Sequence, residues 1–171
     1  MRDLRVLLAA AVAAAIAHHV PAGEARRVDV TAAAQNAVTD TIIALERAAL
    51  DRWGRGDPQG YVETYAPEIT YFDPFTDKRV DGIDAVKAML KPITGKVKVD
   101  RYEMLNARAQ QSGDIAVLSF NLVSYARNPD GSPRAVRWNS TEVYRRSAGK
   151  WKIIHSHWSF TKPQLKGMPG D

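Results

Sequence analysis

From Gly95 onward the sequence consists almost wholly of strand-forming stretches cut by short turns, and no other feature restricts the fold as much. Four stretches carry it: Val97 to Ala109, Ile115 to Tyr125, Ala135 to Arg145 and Trp151 to Phe160. Ser112-Gly113, Asn128-Pro129-Asp130-Gly131 and Ala148-Gly149 separate them. Runs of β-branched and aromatic residues bounded by such breakers read as strands. The links are too short for crossover helices, so the strands must form an antiparallel meander. Along the second stretch Ala116, Leu118, Phe120 and Leu122 share one face, and Ile115, Val117, Val123 and Tyr125 share the other. A sheet covered on one side only should alternate with polar residues. Two apolar faces predict a second subunit against the sheet, hence a homodimer.

The residues before Gly95 read mainly as helices. Val38, Ile42, Leu45, Ala49 and Trp53 are spaced four, three, four and four apart, which keeps them on one helix face. Thr39 or Asp40 is placed to cap this helix, and Gly54 and Gly56 to stop it. Asp57-Pro58 predicts a second, short helix through Tyr61, Val62 and Tyr65. Ile69 to Phe72 reads as a strand ended by Asp73-Pro74, and Asp81-Gly82 as a turn. Ile83, Val86, Met89 and Leu90 mark a third amphipathic helix that Pro92 ends. The expected fold is therefore α+β: three N-terminal helices against a strongly curved antiparallel sheet, forming a cone that encloses a pocket.

The chain has 171 residues, enough for one domain, and we place that domain at residues 38–163. Residues 23–37 read as a flexible lead-in and residues 164–171 as a tail. Residues 1–22 resemble a signal peptide: Arg2 and Arg5, an apolar run from Val6 to Ala17, then small residues that allow cleavage after Ala17 or Ala22. Export to the periplasm or beyond is the expectation, with no stable membrane insertion after processing. Cysteine is absent, which excludes disulfides, thiolate metal sites, a cysteine nucleophile and a bacterial lipoprotein anchor. The net charge of +5 comes from scattered basic residues, not the clustered stripe that nucleic acid requires. No P-loop, dinucleotide fingerprint, nucleophile elbow or zinc-protease motif is present, and no cofactor is expected.

Three segments carry a family resemblance. The first is Ile69-Thr70-Tyr71-Phe72-Asp73-Pro74 followed by Val80-Asp81-Gly82-Ile83. The second is the turn Asp130-Gly131-Ser132-Pro133-Arg134. The third is Val143-Tyr144, then Gly149-Lys150-Trp151-Lys152-Ile153-Ile154-His155-Ser156-His157. In this order they resemble the NTF2-like (cystatin-like) superfamily, most closely its SnoaL-like branch and the association domain of calcium/calmodulin-dependent protein kinase II. The resemblance implies the cone and pairing through the sheet. It implies no activity, because this fold hosts isomerases, cyclases, dehydratases and binding modules alike. One departure stands out. Where the kinase domain has a pocket arginine before its valine-aromatic pair, this chain has Glu142.

Several residues are candidates for chemistry. Glu142 shares a strand face with Trp138, Ser140 and Tyr144; if that face looks into the pocket it would be a partly buried carboxylate suited to proton transfer, or else it is an ion-pair partner of Arg108 or Arg137. His155 and His157 share a face and could act as acid or base. They could also supply two metal ligands, with Asp73 or Glu142 as a third, although a pair without a third motif is weak and no metal is expected. Tyr71, Asp73, Arg108, Trp138 and Trp53 are the expected ligand-binding residues. The function expected is binding of a small, largely apolar molecule in the cone. A non-catalytic association module and a proton-transfer enzyme of isomerase or dehydratase type are the alternatives.

Overall fold

The computed structural model describes the backbone of residues 22–165 and the side chains of residues 35–163. The apolar run and both cleavage sites expected for a signal peptide lie outside the described side chains, and residues 166–171 of the tail lie outside the description altogether. A long helix α1 (Ala22–Gly54) leads into α2 (Gln59–Val62) and strand β1 (Tyr65–Phe72). β2 (Val80–Asp81), α3 (Ile83–Leu90) and a 3-10 turn (Lys91–Ile93) follow. β3 (Arg101–Ser112), β4 (Ile115–Arg127), β5 (Pro133–Ser147) and β6 (Lys150–Phe160) complete the sheet, before a short α4 (Lys162–Leu165). The six strands lie in the order β2-β1-β6-β5-β4-β3 and the curved sheet does not close.

The meander from β3 to β6 is antiparallel throughout, as the turn spacing requires. β1 is the exception. It joins the free edge of β6 in parallel, so the sheet is mixed and not purely antiparallel. The helices before β1 carry the chain across the sheet, which lets β1 enter alongside β6 without a hairpin.

Two segments differ from the sequence reading. Residues 23–37 continue α1 and are not a loose lead-in. That stretch holds several alanines and no proline, a composition that lets the helix of residues 38–54 propagate backwards without an apolar stripe. Thr39 and Asp40 consequently sit inside the helix. Tyr65, expected in the second helix, opens β1 instead. The Ile153 amide bonds the Thr64 carbonyl just before it, so the pull of the β6 edge outweighs helical spacing.

One face of the sheet packs on α1, α2 and α3. Ala116, Leu118, Phe120 and Leu122 of β4 are buried there with Ile42, Ala49, Leu50, Ile69, Val86 and Ile153. Two bulges set which side chains reach it. The register of β6 shifts by one residue at Ile154, so Trp151 and Ile153 before the bulge and Ser156 and Trp158 after it all turn to the helices. In β3 the shift falls at Asn106-Ala107, with Asn106 at a φ of 54°.

Candidate functional site

The cone holds an open pocket of about 900 Å3. Its buried end is lined by Tyr61, Tyr65, Tyr71, Leu50, Leu90 and Leu122. Aromatic rings are stacked through its wall: Tyr61 on Tyr65 at 5.9 Å between ring centres, Trp53 edge-on to Tyr61 at 6.0 Å, and Trp138 against Phe160 at 4.7 Å. Trp158 bridges the set, edge-on to Tyr61, Phe120 and Trp138. Edge-to-face packing of this kind fixes ring orientation beyond what area burial alone does.

Two segments form the mouth. The β4–β5 hairpin turns at Gly131, with a φ of 83°, and contributes Arg127 and Arg134. The strap from residue 94 to residue 100 contributes Lys96 and Lys98. The strap is tied to the end of α1: the Gly95 amide bonds the Gly56 carbonyl and the Val99 amide bonds the Gly54 carbonyl. Gly56 has a φ of 79°, and a Cβ there would stand 3.0 Å from the Gly95 Cα, so only glycine permits this junction.

Behind the buried end lies a cluster of acids and hydroxyls. Glu46 of α1 accepts from Tyr61 Oη at 2.7 Å and from Tyr144 Oη at 2.8 Å. Glu142 of β5 accepts through Oε1 from Ser156 Oγ at 3.0 Å and Ser140 Oγ at 3.3 Å, while its Oε2 has no hydrogen-bond partner. Both glutamates are fully buried. Burial pushes the Glu46 carboxyl up to about 7 against the two phenol hydrogen bonds that oppose it. Burial raises Glu142 well above the carboxylate range, and the neighbouring Glu46 charge raises it further. The same burial holds the Tyr61, Tyr65 and Tyr144 phenols protonated.

The expected site residues fall into three places. Tyr71, Asp73, Trp138 and Trp53 line the pocket. Tyr71 Oη donates to Asp73 Oδ2 at 3.1 Å, and Asp73 Oδ1 caps the Phe75 amide at 2.6 Å. Glu142 is buried on the helix-facing side of β5, but it lies behind the pocket wall and not on it, and its bonded neighbours are serines. His155 and His157 lie on the opposite, outer face. The Ile154 bulge reverses the parity of β6, so His155 Nδ1 meets Thr70 Oγ1 at 2.8 Å and both rings pack on Phe72. Asp73 and Glu142 belong to the other face, so neither can complete a metal site with the histidines. Arg108 is exposed beside the β3 bulge, opposite Ser119, and away from the pocket.

Sequence reasoning missed Glu46 and the four mouth cations. Glu46 had a signal: it stands four residues after Ile42 and three before Ala49, an acid inside an apolar stripe. The cations had none, because Lys96 and Arg134 are far apart in sequence and reach one pocket only in the folded chain.

On the outer face a row of amides crosses three strands. Asn106 Nδ2 donates to Asn121 Oδ1 at 3.0 Å, and Asn121 Nδ2 to Asn139 Oδ1 at 2.9 Å. Half-buried Ile115 and Val117 and exposed Leu105 lie on this side.

Comparison with known proteins agrees with this architecture. The sequence profile of the calcium/calmodulin dependent protein kinase II association domain family matches residues 39–162. A candidate ketosteroid isomerase from Parabacteroides distasonis is 35% identical, superposes with a TM-score of 0.65, and the match covers 74% of this chain and 89% of that one. The association domain of the C. elegans kinase is 20% identical with a TM-score of 0.66, covering 74% and 98% of the two chains. A Streptomyces avermitilis protein named as a candidate dehydratase of the NTF2-like family is 17% identical with a TM-score of 0.62, covering 75% and 99%. With its helices on a curved six-stranded sheet and this match over most of its length, the chain belongs to the calcium/calmodulin-dependent protein kinase II association domain family, on an NTF2-like fold.

Proposed function

We propose that this protein is an exported, self-associating binding module that takes up a small, largely apolar molecule in its cone. The observation that carries the reading is the pocket. At about 900 Å3 it falls within the range of small-molecule sites, roughly 300 to 1,000 Å3, and aromatic rings line it. Binding is favoured over turnover by the lining itself. Its one carboxylate among the described residues, Asp73, is already engaged by Tyr71 and the Phe75 amide. Glu142 could reach a bound molecule only through other side chains. Nile red, an uncharged apolar dye, tests the reading. One dye should bind per chain, and Val136→Trp, at the half-buried pocket wall, should abolish binding without changing the melting temperature. Dye binding that survives Val136→Trp unchanged would place the dye elsewhere and defeat the proposal.

The association reading draws on the outer face. Relatives with this fold are described as association domains and hubs. Here the amide row and half-buried Ile115 and Val117 provide a surface suited to a second copy. Sedimentation should report a dimer for the unaltered chain and a monomer for Val117→Glu. A monomeric unaltered chain would remove this part. Export is tested by the mature N-terminus of protein recovered from cells: an intact Met1 would oppose it.

A further inference from the structure

The reading of the cone as a binding pocket leaves the polarity of its ligand open, and the mouth supplies it; this inference rests on that reading. We propose that the pocket takes an anionic amphiphile, with an apolar chain among the aromatic rings and a carboxylate or phosphate head held at the mouth by Lys96, Lys98, Arg127 and Arg134.

Four observations carry it. All four cations line the pocket and are solvent-exposed. They converge from two separate elements, the 94–100 strap and the β4–β5 hairpin. Among the described residues no acid pairs with them. Arg127 donates to the Gly131 carbonyl, a neutral acceptor, and Lys96, Lys98 and Arg134 make no ion pair with any described residue. Several other arginines, Arg52, Arg79, Arg101, Arg145 and Arg146, do each pair with an acid; what sets the mouth cations apart is that four of them line one pocket. Finally, the closed end fixes the orientation. It offers phenols and leucines and, among the described residues, no cation, so an anionic head would be desolvated there without a partner while a chain is accepted. Asp73, the only acid among the described lining residues, is held by Tyr71 and the Phe75 amide. Exposed Phe75, edge-on to Trp138 and Phe160, forms an apolar lip between chain and head.

The test is displacement of Nile red from the full chain by decanoate, decyl phosphate, 1-decanol and decyltrimethylammonium, each below its micellar concentration. Decanoate or decyl phosphate should displace the dye about tenfold more effectively than decanol, as a charge-assisted contact implies, and the ammonium should be weakest. Which anion leads identifies the head. High salt should narrow the gap, since the cations are exposed. The Lys98→Glu/Arg134→Glu double variant should lose the anion preference while keeping decanol affinity. That retained affinity also shows that the variant is folded. Equal displacement by anion and alcohol, or an anion preference unaltered in the double variant, would overturn the inference and leave the pocket reading intact. Failure of the dye to enter the pocket would remove both.

Discussion

At the closed end of the cone Glu46 and Glu142 are wholly buried, and their bonded partners are hydroxyls. At the open end Lys96, Lys98 and Arg134 are exposed and form no ion pair among the described residues. Both ends carry uncompensated ionisable groups, yet the consequences differ. A buried carboxylate without a cation is tolerated chiefly by staying protonated, because desolvation penalises the ion by several kcal/mol. An exposed ammonium or guanidinium remains ionised at little cost. The closed end is therefore part of the folding energetics. The open end is nearly free of them, and its charge is available to a ligand.

The largest effect that could break this contrast is at Glu46. Glu46→Ala should destabilise the fold by about 3 kcal/mol, from a cavity plus two phenols stripped of their acceptor. Glu46→Gln keeps the shape and an acceptor, and should stay within about 1 kcal/mol of the unaltered chain at pH 5. Urea unfolding measures both. A large loss in Glu46→Gln at pH 5 would mean that the ionised form is the one the fold requires.

The next effect is on pH dependence. Glu46 titrates near 7 in the fold against an ordinary value of 4.5, so the folded state holds its proton more tightly than the unfolded state. Its contribution is complete below about pH 4.5 and disappears as the pH climbs through 7. Stability should fall by about 2 to 3 kcal/mol between pH 5 and pH 8. Glu142, raised by the same burial, acts in the same direction. The Glu46→Gln/Glu142→Gln double variant should show a much flatter profile. A rise in stability over this interval would contradict protonated carboxyls at the closed end.

The same contrast explains how far the sequence could be read. The meander from β3 to β6 follows from alternating apolar residues and breakers at Gly113, Gly131 and Gly149, because those signals are local. The parallel pairing of β1 with β6 is not local: Thr70 and His155 are 85 positions apart and no spacing rule joins them. Parity was lost in the same way. His155 and His157 do share a face, but the single extra residue at Ile154 decides which face, and a bulge leaves no mark in composition. Glu142 was legible as a buried acid from its strand neighbours. Its neighbour Glu46 is masked in the sequence because the apolar stripe is complete through Leu45 and Ala49 without the acid between them. Alanine-rich residues 22–37 show the converse, helix without amphipathic pattern.

The smallest effects belong to the open end and would sharpen the contrast. Phe75 is 75% exposed, so Phe75→Ala should change stability by no more than about 0.5 kcal/mol while weakening Nile red binding several-fold. Arg134→Gln, which removes one of four like charges from the mouth, should leave the melting temperature unchanged at high salt and raise it slightly at low salt. A clear drop in melting temperature would mean that Arg134 has a structural partner, and the mouth would then resemble the closed end. A neutral or favourable result separates the two ends on thermodynamic grounds: charge near the carboxylates is set by the fold, and charge at the rim is held in reserve for whatever enters the cone.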